Sequence, residues 1–103
     1  MSTEIDSALR GATRSLITEV QHAVAKSRLT RWRDVLLVTR IVENEVRRYS
    51  EWGQSVDPLT LSRSVPRQDI VLIVERCLEQ IGEARGLPSE EVEAGIERAV
   101  REL

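Results

Sequence analysis

The stretch TRWRDVLLVTRIVENEVRRYSEW, residues 30–52, sets apolar side chains at Val35, Val38, Val42, Val46, Tyr49 and Trp52. Steps of three and four residues trace one face of an α-helix, because about 3.6 residues complete a turn. Arg33, Arg40, Asn44, Arg47 and Glu51 line the other side. Glu43–Arg47 and Glu45–Arg48 lie at helical spacing, where opposite charges meet on one face. Thr30 reads as the N-cap, Asp34 suits the positive end of the helix dipole, and Gly53 reads as the stop. The apolar arc is wide, with Leu36, Leu37 and Ile41 at its margins or beyond. Such an arc predicts a helix through the middle of the fold, or one that meets a second subunit.

The same pattern extends in both directions. Upstream, Ile5, Leu9, Ala12, Leu16, Val20 and Ala23 predict a helix over 4–26, with Thr3 as its cap and Asp6–Arg10 as a supporting pair. Ser27-Arg28-Leu29 makes a short connection. Downstream, residues 53–65 read as a linker, in which Asp57-Pro58 opens a short helical turn over Pro58–Arg63. Ile70, Ile73, Val74, Cys77, Leu78, Ile81 and Ala84 share one face of a helix over Pro66–Arg85, closed by Gly86, Leu87 and Pro88. A last helix starts at Ser89, with Glu90 and Glu91 in its first turn and a stripe of Val92, Ile96, Ala99, Val100 and Leu103. Glu97–Arg101 is a well-oriented pair on it. The β-branched runs Val35–Val38 and Ile70–Val74 alone suit buried strands, but segment length and the flanking charge pairs favour helix.

The expected fold is therefore all-α: one domain over residues 1–103, an antiparallel bundle of four main helices plus a short turn. With no Phe and 3% aromatic residues, its core must be aliphatic. A chain of 103 residues buries a limited share of its surface, so a homodimer is expected to supplement the core. The formal net charge of −2 indicates neither a polyanion nor a membrane partner. It is unevenly spread: residues 1–52 carry nine basic and seven acidic groups, residues 53–103 six and ten. The single Cys77 excludes an intrachain disulfide framework and a Cys-rich zinc site. The acidic start, unlike a secretory leader, and the short uncharged runs point to the cytoplasm.

Candidate chemistry is sparse. Glu19 and His22 have the Glu-x-x-His spacing of di-iron bundles, but His22 falls off the apolar stripe and the chain has no second such motif. Cys77 lies within the stripe of its helix and reads as a small core hydrophobe. Gly82 and Gly95 lie inside helices, where they permit close approach of a neighbour. The acidic series Glu75, Glu79, Glu83, Glu90, Glu91, Glu93 and Glu97 reads as a solvated face, not a magnesium site. No nucleophile–base set and no phosphate loop can be assembled, so neither enzyme activity nor a cofactor, metal or small-molecule substrate is expected.

The expected function is that of a non-enzymatic adaptor, regulator or assembly factor acting through its helix surface. Its partner is another protein or a second copy, contacted through Val35, Val38, Tyr49 and Trp52. The alternative is a small DNA- or RNA-binding regulator, because Lys26, Arg28, Arg31 and Arg33 cluster beside Trp32 at a helix–helix connection. Unless it makes such contacts, Trp32 is expected to fold onto the bundle.

Overall fold

The computed structural model describes residues 2–52 and 65–103. Four helices follow in the predicted order: α1 (Ser2–Lys26), α2 (Val35–Trp52), α3 (Arg67–Arg85) and α4 (Ser89–Arg101). A single 3-10 turn, Trp32–Asp34, precedes α2, and no strand occurs among the described residues. Both β-branched runs are helical: a three-to-four-residue burial repeat outweighs the modest strand preference of Val and Ile. The predicted linker at 53–64, with Gly53 and the Pro58–Arg63 turn, lies outside the described residues. So do the side chains of Ile5, Leu9, Ala12 and Trp52.

The core is aliphatic. Leu16, Val20, Ala23 and Val24 enter it from α1, Ile41, Val42 and Val46 from α2, and Ala99 from α4. α3 contributes most, with Ile70, Ile73, Val74, Cys77, Leu78 and Ile81 all buried. Ala84 continues that stripe in sequence yet is exposed, since the helix ends one residue later. α2 runs antiparallel to α3: Tyr49 meets Asp69 at one end, and Asp34, just before α2, meets Arg85 at the other.

The wide apolar arc of α2 does not make it the central helix. Among the described residues, α1 and α3 each pack on the three other helices, whereas α2 packs on α1 and α3 alone. Part of its apolar arc consequently faces water.

α3 stops as its sequence predicts. Gly86 takes the left-handed conformation (φ 67°, ψ 33°), which a side chain would disfavour by about 1–2 kcal/mol. Its N–H donates to the carbonyl of Glu83 (3.2 Å), and the N–H of Leu87 to that of Gly82 (2.8 Å). Leu87 packs against the core from there. Two glycines inside helices mark close crossings: a Cβ on Gly82 would strike Val92, and one on Gly95 would lie 2.5 Å from Cγ of Leu29.

Candidate interaction surface

The connection between α1 and α2 is short, and its first residues are held by hydrogen bonds through their backbone groups. α1 ends at Lys26, and Ser27 is fully buried. The Ser27 hydroxyl donates to the carbonyl of Val24 (2.5 Å) and accepts the N–H of Leu29 (3.2 Å). Arg28 turns the chain in the left-handed region at φ 62°. Leu29, 2% exposed, then drives into the core against the bare Cα of Gly95.

Two arginines from the second half of the chain clamp this turn. Arg98 on α4 donates through Nε (2.9 Å) and Nη2 (2.7 Å) to the carbonyl of Ser27. Arg85 on α3 donates to the carbonyl of Leu29. It also approaches the Asp34 carboxylate (3.6 Å), which accepts the N–H of Arg31 (2.8 Å). This explains why α2 starts at Val35 and Thr30 is not its cap. With Leu29 anchored, the backbone at Arg31 is extended (φ −116°, ψ 165°), and the Asp34 carboxylate accepts the Arg31 N–H ahead of the helix.

The consequence is an edge anchored at Leu29 and Asp34 whose side chains point outward. Trp32 is 86% exposed, Leu36 82% and Val35 60%. Trp32 therefore does not fold onto the bundle: with Leu29 taking the inward place, the 3-10 turn aims the indole at solvent. Only Leu72 joins these three as a large exposed apolar side chain among the described residues.

Charge along this edge is predominantly positive, with Glu43, one turn beyond Arg40, the first exposed acid on α2. Arg28, Arg31, Arg33 and Arg40 are exposed. The one carboxylate between residues 26 and 42, Asp34, is largely covered and neutralised by Arg85. Lys26 is engaged with Glu102 (3.2 Å).

The four residues predicted as interface contacts are not brought together. Val35 lies on the exposed edge, while Val38 and Tyr49 pack at the margin of the core. The Tyr49 hydroxyl donates to the Asp69 carboxylate (2.7 Å). Burial and then that negative partner push the phenol up to about 12. The side chain of Trp52 lies outside the described residues. Of the predicted basic cluster, Arg28, Arg31 and Arg33 are exposed beside the edge, and Lys26 is turned toward Glu102 at the end of α4. Sequence reasoning placed Trp32 at the surface only in the nucleic-acid alternative, and did not name Leu36 as a contact. The available signal was Leu36, whose position falls off the α2 stripe.

Elsewhere the polar groups are occupied with one another. Glu45 is 3% exposed and accepts from the Gln80 amide and from Arg48 (3.4 Å). Cys77 is fully buried, and burial with the nearby Glu45 charge pushes its thiol up to about 12, leaving it protonated and unreactive at neutral pH. His22 is exposed on the rim of a cleft of about 450 Å³ also lined by Glu19, Lys26, Arg67 and Glu102. Lys26 and Glu102 pair across that cleft, and Arg67 Nε donates to the Leu103 carbonyl (3.0 Å). Glu79, Glu83, Glu90, Glu91, Glu93 and Glu97 are exposed, and the described residues hold no cluster of three or more His, Cys, Asp or Glu side chains able to bind a metal ion. No described helix is long and apolar enough to cross a membrane.

Comparison with protein-family models, curated proteins and solved structures gives no match, so the surface is read from its own chemistry.

Proposed function

We propose that this protein is a non-enzymatic binding module, an adaptor, regulator or assembly factor, that recognises another protein through the edge formed by Trp32, Val35 and Leu36. One observation carries the reading: three large apolar side chains stand in water just beyond a turn whose Ser27 and Leu29 carbonyls are held by Arg98 and Arg85. Contiguous exposed apolar surface is unfavourable, and covering it releases roughly 25 cal/mol per Å². An edge anchored in this way loses less conformational freedom on binding, so more of that gain appears as affinity. Trp is also a residue type that anchors protein interfaces.

The same reading has the protein working in the cytoplasm, supported by a fold whose one cysteine is a buried thiol with no need of an oxidising compartment. A homodimer through this edge is less well supported. A two-fold axis there would set Arg31, Arg33 and Arg40 against their own copies.

Affinity purification from the native host tests the proposal. Wild-type protein should retain a specific protein that the Trp32→Ala/Leu36→Ala variant loses, with helical content unchanged. Equal retention by both would remove the edge from consideration.

The exposed indole between Arg31 and Arg33 favours a second reading, contact with single-stranded nucleic acid by stacking and phosphate pairing. Binding would then fall steeply with added salt and disappear when Arg28, Arg31 and Arg33 are reversed in charge.

A further inference from the structure

We infer that the partner of this edge is an acidic amphipathic helix of another protein, one that carries aliphatic residues on a narrow stripe flanked by carboxylates. The inference rests on the proposed interaction surface and names what fits it.

Shape comes first. Trp32 opens the 3-10 turn, and Val35 and Leu36, three and four residues on, lie in the first turn of α2. All three are exposed, so they present a short apolar ridge at the start of α2. A ridge of that kind packs along the groove between side-chain rows of a second helix.

Chemistry narrows the choice. Val35 and Leu36 offer no hydrogen bond and no π-face, so two of the three apolar groups gain nothing from a phosphate chain. They gain most against aliphatic side chains. Around them Arg31, Arg33 and Arg40 are all exposed cations, and Asp34, the nearest acid, is spent on Arg85. Opposite charge on the partner's flanks would meet these arginines, and like charge would be repelled.

A second copy offers two acidic faces. On α4, Glu90, Glu91, Glu93 and Glu97 are exposed but no large apolar side chain is. On α3, Glu79 and Glu83 are exposed on the helix face of Leu72, but that face presents a single leucine, 38% exposed, and joining it to the Trp32 edge is a head-to-tail contact that builds rings or filaments instead of a two-fold dimer.

The test uses the full chain and two synthetic helical peptides, identical in their Leu stripe but flanked by Glu in one and by Lys in the other. Binding is read by peptide fluorescence anisotropy and by the amide spectrum of the isotope-labelled protein. The Glu-flanked peptide is expected to bind at least about tenfold more tightly than the Lys-flanked one. Its shifts should centre on residues 31–40. Trp32→Ala should weaken it on the order of thirtyfold, as for a central anchor. Arg31→Glu with Arg33→Glu should remove the preference between peptides. Raising the ionic strength from about 0.01 M to about 1 M, which shortens the Debye length from ~30 Å to ~3 Å, should do the same.

Equal binding of the two peptides would overturn the acidic partner while leaving an apolar interaction surface standing. Preferential binding of a single-stranded oligonucleotide or of anionic lipid vesicles, or self-association abolished by Trp32→Ala, would overturn the inference in favour of that occupant. Binding of neither peptide would overturn it as well. In that case Trp32-dependent capture of a protein from the host would separate its failure from failure of the interaction surface itself.

Discussion

Gly95 faces Leu29, and replacing it with alanine tests whether the clamped turn is as tightly seated as the geometry implies. In an exposed helix interior, Gly→Ala stabilises by about 1 kcal/mol. Here the new methyl would lie 2.5 Å from Cγ and 2.9 Å from Cδ2 of Leu29, well inside contact distance. Leu29 has no room to retreat: it is buried, and Ser27 and Arg85 hold its N–H and carbonyl. Overpacking of this kind costs about 1–3 kcal/mol. The upper end applies, so Gly95→Ala should destabilise by about 1–2 kcal/mol after the helix gain.

Leu29→Ala alone should destabilise by about 2–5 kcal/mol through the cavity it leaves. In that background the three atoms nearest the methyl at position 95 are gone. Gly95→Ala should then stabilise by about 1 kcal/mol, a reversal of sign and a coupling of about 2–3 kcal/mol between the two sites. Urea unfolding followed by far-UV circular dichroism measures all four corners of the cycle. With m near 1–3 kcal/mol/M for a domain of roughly this size, the shifts in midpoint are readily resolved. A Gly95→Ala variant as stable as the wild type, or more stable, would refute the close packing of α4 on the turn.

The remaining predictions concern the clamp, the surface and the buried thiol. Arg98→Met should destabilise by about 1–3 kcal/mol, because the Ser27 carbonyl loses both donors, and Arg98→Lys should restore only part of this since an ammonium cannot present a planar fork; thermal unfolding compares the three. Trp32→Ala and Leu36→Ala should each change stability by less than about 0.5 kcal/mol, as surface residues do, and a larger loss by denaturant titration would place these side chains in the core instead. Cys77 titrates near 9.0 when unfolded and about 12 when folded, so the native state holds its proton longer. Stability from this group is present below pH 9 and declines between 9 and 12, at up to about 1.4 kcal/mol per pH unit. Tyr49 acts in the same direction, and Cys77→Ala should flatten the alkaline decline measured by urea midpoints.

Much of the architecture was legible in residue order alone. Helical periodicity, Gly86-Leu87-Pro88 as a stop and the acidic start of α4 are local signals, governed by backbone sterics and by neighbours one turn away. So was the buried place of Cys77, which shares a stripe with Ile70, Val74 and Ile81. Glu45 was not. Its exposed partner Arg48 was visible at i+3, but the Gln80 amide that makes its burial tolerable lies on another helix.

The surface shows the division most plainly. The chain by itself determined that α2 has more apolar residues than one neighbouring helix can cover, because periodicity counts which side chains share a face. It did not determine which of them would stay uncovered. That was decided by Leu29 seating against Gly95 and by Arg85 and Arg98 gripping the turn from residues 56 and 71 positions further along. Those long-range contacts set the direction in which the 3-10 turn leaves α1, and so turned Trp32, Val35 and Leu36 toward water. A helical wheel describes angles around one axis. The placement of that axis against its neighbours exists only once distant segments have packed.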